Sequence, residues 1–168
     1  MSLLAILQIG CVVAFALLLV AAGWQDLRTM RIGNGLSISI MASFALWSAA
    51  GLALGQFSLV YLCLAVACAA AVFAVAFAGF AAGALGGGDV KLLAAASLFA
   101  GPAHQLDFLT ITALAGGVLA IAMLAGAPIG PVAVPSGGAI RTRLRGALPY
   151  GPAIAAGGLW IAANLVIA

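Results

Sequence analysis

The stretch GGGDVKLLAAASLFAG, residues 86–101, decides how the chain is threaded. As a helix its apolar part, residues 90–101, rises about 18 Å at about 1.5 Å per residue, against about 30 Å of bilayer hydrocarbon. It is therefore either a short span or a re-entrant helix, and the choice fixes the side on which everything after it lies. The runs around it, residues 3–23, 36–54, 58–82, 106–126 and 148–166, are each near the roughly 20 residues that a crossing needs. Charge settles the short one. Arg28 and Arg31 follow the first run, Lys91 follows the third, and Arg141, Arg143 and Arg145 follow the fifth. With residues 90–101 crossing, all six basic side chains share one face. Without that crossing the arginine cluster moves to the opposite face, against the positive-inside tendency.

The expected fold is thus all-α: a polytopic membrane helix bundle of about six transmembrane helices, forming one domain over residues 1–168. Both termini are expected outside. Loops near residues 24–35, 83–91 and 127–147 are expected in the cytoplasm, and the outer links, residues 55–57 and 102–105, hold no Lys or Arg. Composition agrees: 67% of the 168 residues are apolar and 5% charged, too little charge to cover a water-soluble fold. The net charge of +3 reads as topology and contact with anionic lipid, not as a nucleic-acid footprint. Cys11, Cys63 and Cys68 lie in apolar runs without paired spacing, which suits helix packing better than metal binding or disulfides. The N-terminal run has no preceding Lys or Arg and is too long for a signal-peptide core, so it is expected to remain as a span. Ala- and Gly-rich spans predict close helix packing, and residues 128–146, with three prolines, read as a long cytoplasmic loop.

Three acids exist in the chain, Asp26, Asp89 and Asp107, and no Glu. Asp26 follows the first span and Asp89 closes Gly86-Gly87-Gly88-Asp89, so both fall at the cytoplasmic boundary. An ionisable group at membrane depth is costly and points to function. Two carboxyls brought together suit peptide hydrolysis: one takes a proton from water while its protonated partner polarises the scissile carbonyl. The glycines permit close approach of an extended substrate strand. Simpler structural roles stand beside this: a glycine turn with Asp89 as helix N-cap, and Asp26 paired with Arg28. On the outer face, Asp107 reads as the N-cap of a span starting at Phe108, with His104 in the headgroup zone. Asn34 reads as a cap for the second helix, Lys91 as a charge near the pair or a headgroup contact, and Trp24 and Tyr150 as interface anchors.

Asp26 with Arg28 and Ile32-Gly33-Asn34, then Gly86-Gly87-Gly88-Asp89-Val90-Lys91-Leu92, then Leu148-Pro149-Tyr150-Gly151-Pro152-Ala153 resemble the type IV prepilin peptidases, membrane aspartyl proteases with a Gly-x-Gly-Asp motif, and in particular the short form that serves Flp/Tad pili. The resemblance implies Asp26 and Asp89 as the catalytic pair, with Gly86, Gly88, Lys91, Arg28, Asn34 and Gly151 lining the site or binding substrate. It also implies a multi-pass protein of the bacterial inner membrane with its site facing the cytoplasm. The substrate would be a prepilin, cut after the glycine that precedes its hydrophobic segment. No metal or organic cofactor is implied. Two features depart from the family: Gly33 stands where proline is usual, which predicts a looser entry to the second span, and the paired-cysteine cytoplasmic domain of the long members has no counterpart, which predicts cleavage without methylation. Rival readings are a peptidase for another class of precursor, a small proton- or cation-coupled transporter or channel subunit using the aspartates, and a passive assembly component.

Overall fold

The computed structural model describes residues 2–127 and 149–167; Arg141, Arg143, Arg145, Leu148 and the long cytoplasmic loop expected at residues 128–146 lie outside them. Among these residues there are five helices, in chain order α1 Leu3–Thr29, α2 Asn34–Ala53, α3 Leu59–Ala81, α4 Gly87–Leu124 and α5 Gly151–Ile167. The first four are long and apolar enough to cross a membrane, and α5 is apolar but shorter, with 17 residues. A helix bundle was expected and is found, but among the described residues the count is five rather than six. The difference lies in α4. Residues 102–105, expected as an outer link, are helical, and the 38-residue element breaks only at Gly101 (φ 54°, ψ −170°).

That single break has a direct physical cause. Pro102 bars the α conformation from the residue before it and lacks the N–H that would continue the ladder. Gly101 then takes a backbone region that is essentially closed to residues with a Cβ. Pro102 is in turn pre-shaped for the first position of the next helical stretch, so no separate loop is needed. Contacts along α4 show that the chain doubles back there. Phe99 stacks on Phe15 of α1 with centroids 4.1 Å apart, and Gly101 abuts Tyr61 near the start of α3. Further on, the backbone at Phe108 meets Gly157 and Gly116 meets Ala153 near the start of α5. Ser97 donates to Gln105 Oε1 at 2.8 Å across the bend. The two limbs of α4 therefore run in opposite directions along the bundle, and residues 90–101 end at the end of the bundle away from Asp89.

The first limb of α4 is the centre of the bundle. Phe99, 1% exposed, also meets Phe44 edge-on at 5.4 Å and Trp47 at 5.8 Å. Lipid offers no hydrophobic drive between helices, so such fit carries the association. Phe99→Ala is expected to leave a cavity costing about 3 kcal/mol, the lower part of the range for Phe truncation, read as a lower thermal midpoint in detergent. On α1 the buried positions Gln8, Cys11, Val12, Phe15, Leu19, Ala22, Gly23 and Asp26 form one inward stripe at helical spacing, and Asp26 is its last member. Large apolar side chains such as Leu17, Val20, Val75, Leu114 and Val118 are exposed, as expected of faces turned to lipid. Cys11 is buried, Cys63 is exposed, and all three cysteines are free.

Candidate active site

α1 runs on through Thr29, so residues 24–29, expected in a loop, are helical and hold Asp26 on the core side, 4% exposed. Its Oδ2 accepts the N–H of Gly151, the first residue of α5, at 2.8 Å. A Cβ on Gly151 would lie 2.7 Å from Asp26 Cβ and 2.9 Å from Oδ2, so α5 can start this close only because that position has no side chain. Gly23, one turn earlier on α1, faces the Pro152 backbone in the same way, with 3.3 Å left for a Cβ.

Asp89 arrives from the other direction. It is the third residue of α4, so residues 87–91, expected in a loop, are helical. Gly86 is the N-cap, and the Asp89 carboxylate accepts the Gly86 N–H at 3.2 Å. Asp89 is therefore not itself the N-cap but the acidic partner three positions on, in the manner of a capping box. Gly88 presses on the α1–α2 link, where a Cβ would meet Ile32 Cβ and O at 3.1 Å. This contact brings Asp89 over the end of α1, and Asp26 and Asp89 fall within direct electrostatic reach of each other. Each carboxylate also sits at the N-terminal, positive end of a helix dipole, α5 for Asp26 and α4 for Asp89. Two carboxyls so placed can divide the roles of base and acid toward one water.

The other residues singled out from the sequence separate into two groups. Gly86, Gly88 and Gly151 surround the pair, as described. Lys91 and Asn34 pair with each other, Nζ to Oδ1 at 2.9 Å, on the outer side of α4. Asn34 does not cap α2: the N-cap is Gly33, without a side-chain bond, because the Asn34 oxygen is taken by Lys91. Arg28 does not pair with Asp26; its guanidinium lies 4.5 Å from the centre of the exposed Trp24 ring. At the far end Asp107 does not cap a helix either. It lies within α4, its carboxylate 3.5 Å from His104 Nδ1, because Pro102 starts that limb five residues earlier. Among the described residues no group of three His, Cys, Asp or Glu side chains converges as metal ligands would.

Gly33 has φ −69° and ψ 139°, within the range to which proline is confined, and the nearest atoms to a Cβ there belong to Gln25, 3.7 Å away. The glycine is thus not required by its conformation. Gly33→Pro is expected to be accepted and to stabilise by about 0.4–1 kcal/mol through a less flexible unfolded chain, measurable as a raised thermal midpoint with unchanged activity.

A model of the type IV leader peptidase family matches residues 13–121, which include both aspartates. The chain belongs to that family. No curated protein and no solved structure shows significant similarity to it. Membership makes this leader peptidase relative a peptidase of a membrane-protein class, in keeping with its four long apolar helices. Ser37 and the Gly88–Ile32 and Gly23–Pro152 contacts escaped the sequence reading; only Ser37 had a legible signal there, lying three residues after Asn34 on one helix face.

Proposed function

We propose that this protein is a prepilin peptidase of the short, Flp/Tad type: an aspartyl endopeptidase that removes the leader of a pilin precursor after a glycine, at the cytoplasmic face of the bacterial inner membrane. The observation that carries the reading is that Asp26, near the end of α1, and Asp89, in the first turn of α4, lie at one end of an otherwise apolar bundle within electrostatic reach of each other. One carboxylate removes a proton from water, whose oxygen adds to the scissile carbonyl while the protonated partner donates to the carbonyl oxygen. Proton return to the amine then breaks the C–N bond. Gly86, Gly88 and Gly151 let the start of α4, the link before α2 and the start of α5 close on the pair, where a Cβ would stand against Asp89, Ile32 and Asp26. Arg28, Arg31 and Lys91 lie at the same end of the bundle as the pair, which favours the cytoplasm for that end.

The test is the mass of a Flp-type prepilin co-expressed with the protein. Loss of the leader supports the reading, and an intact precursor beside correctly inserted protein counts against it. Because the mechanism needs one carboxyl protonated and the other ionised, the rate is expected to fall at both extremes of pH. At low pH both are neutral and no base remains; at high pH both are charged and no acid remains. A cleavage rate in detergent that stays flat into alkaline pH would exclude this division of roles.

A further inference from the structure

Beside the site, and not used by the chemistry above, a groove of about 510 Å³ opens sideways between α2 and α3, with the first limb of α4 as its floor. α2 and α3 each pack on α4 but not extensively on one another, so the groove faces the surrounding bilayer. Each of the three helices lends it two turns, about 10 Å of length.

The two ends of the groove differ in chemistry. Away from Asp89 its walls are apolar, with Met41, Leu98 and Val66, and the wall on α3 stays apolar up to Phe73, its lining residue nearest the Asp89 end. At the end nearer Asp89 stand Lys91, Asn34 and Ser37. Asn34 Oδ1, the one side-chain acceptor of that amide, is already taken by Lys91, which leaves the amide N–H groups and the remaining ammonium protons as donors. Among the described residues no carboxylate lies within ion-pair distance of Lys91. Ser37, buried as a residue, lines the groove, and among the described residues its hydroxyl makes no hydrogen bond. The hydroxyl is thus free to donate to a group seated in the groove beside Lys91. The first turn of α2, which carries Asn34, adds the positive end of a helix dipole. This head is donor-rich and positive, and it sits above an apolar slot.

We propose that the groove is a binding site for an anionic phospholipid, with the phosphate on Lys91, Asn34 and Ser37 and one acyl chain along Met41, Val66, Phe73 and Leu98. Phosphate supplies several acceptor oxygens and a negative charge, matching every group at the head, and a lysine ammonium is a good point-charge partner for it. The hydrophobic helix of a substrate matches less well. Cleaved just before that helix, it would enter with its N-terminus at the Asp89 end, setting a positive dipole end and unpaired N–H groups against a cation and further donors. The site does not depend on the peptidase reading.

Native mass spectrometry of the full-length protein, released from nanodiscs holding equal phosphatidylglycerol and phosphatidylcholine of one chain length, tests it. The expected result is preferential retention of phosphatidylglycerol. Lys91→Gln and Ser37→Ala should each lower that retention about fivefold, Lys91→Arg should keep it, and Met41→Trp, which fills the slot, should lower it. Arg31→Gln, which removes a charge at the same end but outside the groove, should leave it unchanged. Equal retention of both lipids overturns the proposal, as does an Arg31→Gln effect as large as that of Lys91→Gln. Indifference to Met41→Trp would reduce the site to adsorption of phosphate at the head and overturn the acyl-chain placement. A photoreactive side chain at position 41 that captures a co-expressed pilin precursor instead of lipid would give the groove to substrate and overturn it as well.

Discussion

Asp26→Asn and Asp89→Asn are each expected to lower cleavage of a pilin precursor by at least about 10²–10⁴-fold, the range for loss of a positioned acid or base. Asparagine is the informative replacement because it keeps a side-chain oxygen in place. In Asp26→Asn that oxygen can still accept the Gly151 N–H that Asp26 Oδ2 accepts at 2.8 Å. In Asp89→Asn it can still accept the Gly86 N–H that caps α4. The helix ends should therefore survive while the proton chemistry does not, and both variants should insert at wild-type levels. Asp107→Asn is the matching control: it removes the third acid, half-exposed beside His104 in the other limb of α4, and should cleave normally. The measurement is the fraction of precursor that loses the leader mass, at equal amounts of peptidase in the membrane. Cleavage that survives both substitutions would sink the aspartyl mechanism while leaving family membership untouched.

That Asp26 and Asp89 come to the same end of the bundle was legible in the sequence for a physical reason. A chain with three acids in 168 residues cannot leave them at membrane depth without use. The inward direction of Asp26 was also written there, since Phe15, Leu19 and Ala22 place it on the same stripe. Six charges argued for six crossings, whereas the described residues form five helices, one of them doubled back at Gly101. What could not be read was how tightly a turn can close. Gly101-Pro102 looked like the edge of a loop because apolarity, not backbone conformation, set the boundaries. Likewise the loops after residue 23 and before residue 92 shrank, because apolar runs stop at the first charge whereas helices stop where the backbone hydrogen bonds end. Partner choice was the least legible: Asn34 had a free N-terminus to cap and instead meets Lys91, 57 positions away, a contact that only the packing of α2 on α4 creates.

Gly151→Ala is expected to remove activity out of proportion to its effect on stability. The added Cβ would stand 2.7 Å from Asp26 Cβ, 2.9 Å from Oδ2 and 3.1 Å from Cγ, so Asp26 or the start of α5 must move. Asp26 is buried and bonded to that same residue. Any movement therefore lengthens the bond that orients the carboxylate, and a shift of about 1 Å can cost about 10²-fold in rate. The folding cost should stay in the overpacking range of about 1–3 kcal/mol. Gly158→Ala separates the two effects: its Cβ would press on Leu19, two turns from Asp26 and on the same pair of helices. That variant should melt earlier but keep its rate per folded molecule, whereas Gly151→Ala should lose rate even where it is fully folded. Thermal midpoints and cleavage rates measured on both in one detergent decide the matter. If the two variants lose rate in the same proportion to stability, Gly151 serves the packing of α5 alone, and the placement of Asp26 must rest on the Gly23–Pro152 contact instead.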